Sequence, residues 1–380
     1  MRGHIVKRSV RSWTIVLSTG RDATTGKRER QWVSVKGTRK DAEKRLTELL
    51  GQLDGGGYVR PVKETLGGFL QRWVKDYAWA NLAPKTADSY ESIVRVHVAP
   101  ALGNVALHEL RPAHLQRYYG DELKAGRSGL AVHHDHALLH RALATAVKQG
   151  LLMRNPADAV DAPKGERKEM RTLSADDLAR FLDAKTTPYY PIFYTACYTG
   201  MRRSELLGLQ WQDVDLILGE VSVRRTLHNV KGKVYLRPPK TAKSKRLIPL
   251  PPSATLVLRQ HREQREADRE LLGKPLTGED FVFARADGSL LHPTIVTHAW
   301  EKLVRRLGLR GVRLHDARHT HASLMLKAGV HPKVVQERLG HSTIAITLDT
   351  YSHVAPGLQE AAARKFDDVV KQERQVSPAA

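Results

Sequence analysis

Four short stretches hold the residues whose types and spacing could do chemistry. TGMRRSELLG sets Arg202 and Glu205 one helical turn apart, and PPKTAKSKR carries Lys240 among further lysines. RLHDARHTHASL places His315 three residues before Arg318, and LGHSTIAITLDTY places His341 ten residues before Tyr351. An arginine whose direction is fixed by a neighbouring carboxylate presents a guanidinium fork to an anion. Residues at i and i+3 of a helix share a face, so His315 and Arg318 offer a second cation with a proton-carrying group beside it. A tyrosine hydroxyl has an ordinary pKa near 10, so a cationic site with a histidine nearby would help it lose its proton and attack. The plainer alternative for Tyr351 is a rim tyrosine with a half-buried ring.

The same HDARH stretch admits a competing chemistry. His315 and His319 at i, i+4 could ligate zinc with Asp316 as base, and His331 or His341 as the further ligand. Asp is shorter than the usual Glu, and a zinc site accounts for neither the arginines nor the charge of the chain. A further histidine group, His133, His136 and His140, recurs at i, i+3, i+7 and could bind metal, but metal sites usually want a carboxylate or thiolate and supporting hydrogen bonds behind the ligands too, so polar histidines facing solvent or phosphate are the preferred reading.

These residues need elements to hold them. Gly200 precedes a helical stretch containing Arg202 and Glu205. Three strand-like runs follow, GEVSVRRTL, KVYLRPP and KRLIPLP, and joining the last two through KTAKS puts Lys240 at or beside a hairpin tip. Lys231, Lys233, Lys243 and Lys245 lie in the same stretch, consistent with a hairpin that faces phosphate. In RLHDARHTHASLMLKAGV the residues Leu314, Ala317, His321, Leu324 and Ala328 follow helical spacing, and Gly329 ends the run.

The chain has 380 residues, more than one ordinary core, with 41% hydrophobic and 27% charged residues, the balance of a folded soluble protein. Lysine and arginine number 62 against 40 acidic residues, giving +22, a field that concentrates polyanions. The single cysteine, Cys197, excludes an intrachain disulfide framework and paired-cysteine zinc fingers. The amino terminus lacks the apolar stretch of a signal peptide, and the longest uncharged run, residues 186–201, falls short of a membrane span. A cytoplasmic, nucleic-acid-facing protein without a membrane segment is the expected class.

Three segments are expected. Residues 1–60 read as three strands (IVKR, WTIVL, QWVSV) and a helix capped by Thr38, with Ala42, Leu46, Leu49 and Leu53 as its apolar stripe. This stretch carries fourteen basic and six acidic residues, and such a sheet would suit DNA. Gly55, Gly56 and Gly57 read as a linker. Residues 62–160 read as an all-helical domain of four or five helices. A second linker follows, and Ser174, with Asp177 at the third helical position, starts a mixed α+β domain over 170–380. Its tail, PGLQEAAARKFDDVVKQER, reads as an amphipathic helix.

Taken together, TGMRRSEL, the PPKTAKSKRLIPL stretch, HDARHTHASL and LGHSTIAITLDTY, ending in Tyr351, resemble the tyrosine recombinases, the phage integrase family. The resemblance covers roughly the last 200 residues, extends to the helical segment as a core-type DNA-binding domain, and is weaker for residues 1–60 as an arm-type domain. It implies a multidomain fold: a small β-sheet and helix, an all-α core-binding domain, and a mixed α+β catalytic domain of the tyrosine recombinase type. It implies Arg202 and Arg318 as catalytic arginines, Glu205 as their acidic support, and Lys240, His315 and His341 as the other catalytic groups, with Tyr351 as nucleophile. It further implies a 3′-phosphotyrosyl intermediate with Lys240 protonating the leaving 5′ oxygen, and no cofactor or metal. Double-stranded attachment-site DNA, a homotetramer, an excisionase and a DNA-bending protein are the implied partners, in the cytoplasm of a bacterial host. The tail would dock on a neighbouring protomer or on its own domain. Two other readings share these residues: a type IB topoisomerase-like enzyme, and a DNA-binding regulator that kept the fold without catalysis.

Overall fold

The computed structural model describes residues 3–21, 28–54, 63–165, 170–239 and 244–351, with short pieces between 363 and 371. The chain divides into two compact units, Met1–Arg167 and Lys168–Ala380. The glycine linker, Lys240, Lys243 and most of the carboxyl-terminal tail lie outside the described residues.

In the first unit, strands β1 (Gly3–Ser9), β2 (Ser12–Arg21) and β3 (Arg28–Lys36) form an antiparallel sheet in that order. Period-2 alternation sends Ile5, Ile15, Leu17, Val33 and Val35 to one face, where they meet Leu46 and Leu49 of helix α1 (Arg39–Asp54). Thr38 caps that helix: its hydroxyl accepts the Asp41 N–H, and the Asp41 carboxylate accepts the Thr38 N–H at 2.8 Å.

The same unit holds α2 (Leu66–Trp73), α3 (Trp79–Asn81), α4 (Pro84–Ile93), α5 (Ala99–Leu102), α6 (Pro112–Lys124) and α7 (Gly129–Lys148). Single π-turns at Val74–Ala78 and Val94–Val98 join α2 to α3 and α4 to α5. Their core gathers Phe69, Trp73, Leu115, Tyr119 and Leu139. On α7 the expected histidine stripe forms, but His136 hydrogen-bonds the Tyr119 hydroxyl at 3.0 Å and His140 lies 2.8 Å from Asp158. Among the described residues no group of three His, Cys, Asp or Glu is placed to hold a metal.

The second unit opens on α8 (Ala175–Asp183), where Ser174 accepts the Asp177 N–H at 3.0 Å as its spacing requires. It continues through α9 (Tyr190–Thr199) and α10 (Arg203–Leu207) to the strands β4 (Val214–Asp215), β5 (Glu220–Val223), β6 (Thr226–Val230), β7 (Lys233–Arg237) and β8 (Arg246–Pro249).

The strand pairing corrects the sequence reading. The run GEVSVRRTL breaks at Arg224–Arg225 into β5 and β6, which belong to different sheets. β7 pairs with β6 through a turn at Lys231–Gly232, while β8 pairs with β5. KVYLRPP and KRLIPLP therefore do not form a hairpin, and Lys240, expected at its tip, lies outside the described residues. The physical reason is burial: β5 and β8 carry Val221, Val223 and Ile248 into the main core, whereas every residue of β7 is exposed.

Helices α11 (Pro252–Leu271), α12 (Pro293–Arg306), α13 (Leu314–Lys327), α14 (Pro332–Leu339) and α15 (Ile344–Tyr351) complete the unit. Among the described residues no helix is long and apolar enough to cross a membrane. Helix α13 is buried more widely than a single stripe: Asp316, Arg318, Thr320, Ala322 and Ser323 are covered along with Leu314 and Ala317, while Ala328 is exposed. Trp300 of α12 is fully buried against Phe181 and Phe193, and its indole N–H donates to the Val312 carbonyl at 3.0 Å, just before α13 begins. Truncating Trp300 to Ala removes this packing and leaves that carbonyl unpaired. Urea unfolding of Trp300→Ala should show the second unit destabilised by about 3–5 kcal/mol.

Candidate active site

Arg202 is the N-cap residue of the one-and-a-half-turn helix α10, and Glu205 is its third residue. The Glu205 carboxylate accepts the Arg202 backbone N–H at 2.8 Å and its guanidinium Nη1 at 2.8 Å, so one acidic side chain both starts the helix and orients the arginine. A second arginine that sequence reasoning passed over, Arg246 at the start of β8, donates Nη2 and Nη1 to the same carboxylate at 3.0 and 3.3 Å. Its Nε donates to the Arg338 carbonyl at 2.6 Å, tying α14 to the sheet. In the sequence Arg246 was hidden in a basic run; its burial singles it out.

Arg318 lies on the inner face of α13, 3% exposed. Its Nη1 donates to the Gly200 carbonyl at 2.8 Å, while Nη2 is buried with no hydrogen-bond partner among the described residues. Burial, then the neighbouring Arg202, lowers its pKa to about 9, so it stays cationic at neutral pH. Gly200 makes the carbonyl's approach possible: its φ is +63°, and a Cβ there would lie 2.7 Å from Leu339 and 3.0 Å from the His321 ring. Gly340, with φ +68°, leaves similar room for the Arg246 guanidinium.

His341 follows α14 and is buried; burial, then Arg318, Arg202 and Arg246, push its pKa down to about 3, which keeps the ring neutral. Its Nδ1 hydrogen-bonds the Thr347 hydroxyl at 2.8 Å, and Gln336 donates to its carbonyl at 2.5 Å. Tyr351, the last residue of α15, is fully buried against Ala322, Leu326, Val335 and Leu339. Its ring lies parallel to that of His341, with centroids 6.5 Å apart, and its hydroxyl meets His319 Nδ1 at 2.8 Å. Burial raises the Tyr351 pKa to about 12, although Arg318 and Arg202 pull it the other way. The half-buried rim tyrosine is thus replaced by a sequestered one facing two guanidinium charges. His315 sits exposed on the first turn of α13, its ring edge-on to that of His319 at 4.9 Å.

Six of the seven residues expected from sequence, Arg202, Glu205, His315, Arg318, His341 and Tyr351, thus come from three helices and a turn of one unit. Lys240 lies outside the described residues. The zinc alternative needed His319, which the fold instead turns toward Tyr351.

The sequence matches the model of the phage integrase family over residues 171–357. It also matches that of the phage integrase N-terminal SAM-like domain over residues 65–122. The chain belongs to the phage integrase family of tyrosine recombinases. Among curated relatives, a XerC-like tyrosine recombinase of Caldanaerobacter subterraneus is 28% identical, the match covering 96% of this chain and 98% of that one. The integrase of Mycobacterium phage L5 is 26% identical over 81% and 80% of the two chains. The fold is similar to that of the Tn1549 transposon integrase in complex with a circular intermediate DNA, with a TM-score of 0.68 at 21% identity over 80% of this chain and 99% of that one. It is also similar to lambda integrase in a tetramer bound to a Holliday junction, with a TM-score of 0.58 at 19% identity over 91% and 94%. The motifs that carried the resemblance fall within the first matched span.

Glu205 holds two guanidinium groups, and Arg246 first among them, after the opposing effect of burial, keeps its carboxyl below the ordinary 4.5. A lowered carboxylate pKa contributes stability above the unfolded value that is lost as pH falls through the folded one. Glu205→Gln should therefore destabilise the second unit at pH 7 by about 3–5 kcal/mol, because it leaves buried Arg246 without its counter-charge. Denaturant titrations should also show a flatter acid limb below pH 4.5 than in the wild type.

Proposed function

We propose that this chain is a site-specific DNA recombinase of a phage or integrative element that cuts and rejoins strands through a 3′-phosphotyrosyl intermediate. The observation that carries the reading is the buried Arg318 guanidinium, whose Nη2 has no hydrogen-bond partner among the described residues, set in a cluster with Arg202 and the sequestered Tyr351 hydroxyl. A buried N–H without an acceptor is costly, and a phosphate oxygen would satisfy it.

A phosphodiester gains negative charge at its pentavalent transition state. Arg318 and Arg202 would bind the non-bridging oxygens and stabilise that charge, and His315 and His341 would hold the same oxygens and assist proton transfer. Tyr351 Oη would attack phosphorus, forming the bond to the 3′ phosphate as the bond to the 5′ oxygen breaks. Lys240 would protonate that oxygen, and Glu205 would keep Arg202 aimed. The phosphotyrosyl bond conserves the energy of the diester, so rejoining by the 5′ hydroxyl requires neither cofactor nor metal.

In this reading residues 170–380 perform the chemistry, 62–160 bind the core site, and 1–60 bind arm-type sites through the basic three-stranded sheet. Four copies would assemble on double-stranded attachment-site DNA in the bacterial cytoplasm, with an excisionase and a DNA-bending protein setting direction. The carboxyl-terminal tail would couple neighbouring copies.

The test is covalent trapping on a nicked duplex drawn from DNA flanking the gene, in EDTA, resolved on a denaturing gel. Wild type should give a protein-linked band and Tyr351→Phe none, with DNA binding by both unchanged. Equal bands from the two would remove Tyr351 as nucleophile. Binding without any band would favour a silent regulator, and bands on every duplex alike would favour a topoisomerase-like enzyme.

A further inference from the structure

His319 belongs to none of the functional positions above, yet it is the residue whose side chain meets the Tyr351 hydroxyl. We propose that His319 is a further catalytic residue, the group that accepts the Tyr351 proton during attack. This rests on Tyr351 being the nucleophile.

Three observations carry it. First, Tyr351 is fully buried, so its hydroxyl has no bulk water to receive a proton, and among the described residues its one hydrogen bond runs to His319 Nδ1 at 2.8 Å. For the hydroxyl to donate, Nδ1 must be the unprotonated nitrogen and the ring the Nε2–H tautomer. Second, the other candidate bases are occupied or displaced. His341 presents its ring face to Tyr351 and commits Nδ1 to Thr347, while His315 is edge-on to His319 and exposed to solvent. Third, the placement is built by backbone geometry. His319 follows Arg318 directly on α13, so the turn that aims the guanidinium also sets the imidazole about 100° further round the helix, toward α15.

The charged and titratable groups around the ring are Asp316, Arg318 and His315 from α13, Arg313 at its N-cap, His341 from the turn after α14, and Tyr351 from α15. Burial, the largest effect, lowers the His319 pKa and keeps it neutral at pH 7, with Asp316 opposing and Arg318 and Arg313 reinforcing. In the step, the Tyr351 O–H bond breaks, its electron pair forms the bond to phosphorus, and the proton moves to Nδ1 to give imidazolium. The P–O5′ bond breaks as the general acid of the preceding section protonates the 5′ oxygen. In rejoining, the 5′ hydroxyl loses its proton to that group, and His319 returns its proton to the departing phenolate. No oxidant, reductant or further reactant enters.

The test compares single-turnover cleavage of the nicked duplex by wild type, His319→Asn and His319→Ala across pH 5–9. The Asn side chain can keep an acceptor near the Nδ1 position and so preserve positioning, but it takes no proton. Both variants should bind DNA as the wild type does and lose roughly 10²-fold or more in cleavage rate at pH 7. Wild-type rate should level off above the histidine pKa, whereas the variants should keep climbing with hydroxide. Added imidazole should restore His319→Ala in part. Cleavage by His319→Asn near the wild-type rate with the wild-type pH profile would overturn the proposal and leave the ring a positioning group. No adduct from the wild type itself would overturn the nucleophile reading and this proposal with it.

Discussion

The second unit depends on one buried carboxylate held between two arginines. Glu205 is almost fully enclosed, and Arg202 and Arg246 both donate to it. Guanidinium groups brought together repel, and in a low-dielectric interior that repulsion is large. A single acid placed inside the cluster offsets it and fixes where each fork points. Because Arg246 also bonds the Arg338 carbonyl, the same carboxylate connects α10, β8 and α14. The site's geometry and the packing of its supporting elements therefore share a cause.

This arrangement explains how a strongly cationic cluster can fold. Arg318 is the residue left over. It is fixed at one end by the Gly200 carbonyl, and burial and Arg202 lower its pKa, yet it remains charged. Glycine at 200 and at 340 lets backbone and guanidinium approach more closely than a Cβ would allow. The neutral histidines follow from the same field: surrounding arginines and burial hold His341 and His319 uncharged, which suits groups that must accept hydrogen bonds. Tyr351 shows the opposite balance, since burial outweighs the arginines and keeps its hydroxyl protonated at rest.

Helix α15, which ends on Tyr351, is attached by a narrow face. It buries Thr347 and Tyr351, and each of these hydroxyls meets a histidine, while Ile344, Ile346 and Leu348 remain exposed. A helix whose buried face is limited to two residues is more easily moved than one packed on a broad apolar stripe. Tyr351 is thus carried by a helix with a narrow buried face.

The sequence by itself determined the residue types, their order and the local elements. Charge indicated a polyanionic partner, helix starts at Thr38 and Ser174 were set by capping chemistry within four residues, and the sheet of β1 to β3 followed from period-2 alternation. Six candidate residues were recognisable because their motifs are short: Arg202 with Glu205 and His315 with Arg318 each fall within one turn of helix, and His341 lies ten residues before Tyr351. Tertiary structure decided what sits opposite what. The pairing of β8 with β5 instead of β7, the Arg246–Glu205 contact across 41 residues, and the turning of His319 toward Tyr351 across 32 residues are set by which faces are buried together. Periodicity along a chain fixes a face, but the partner of that face depends on packing between distant segments, and so only the folded chain could show which arginine meets Glu205 and which histidine meets Tyr351.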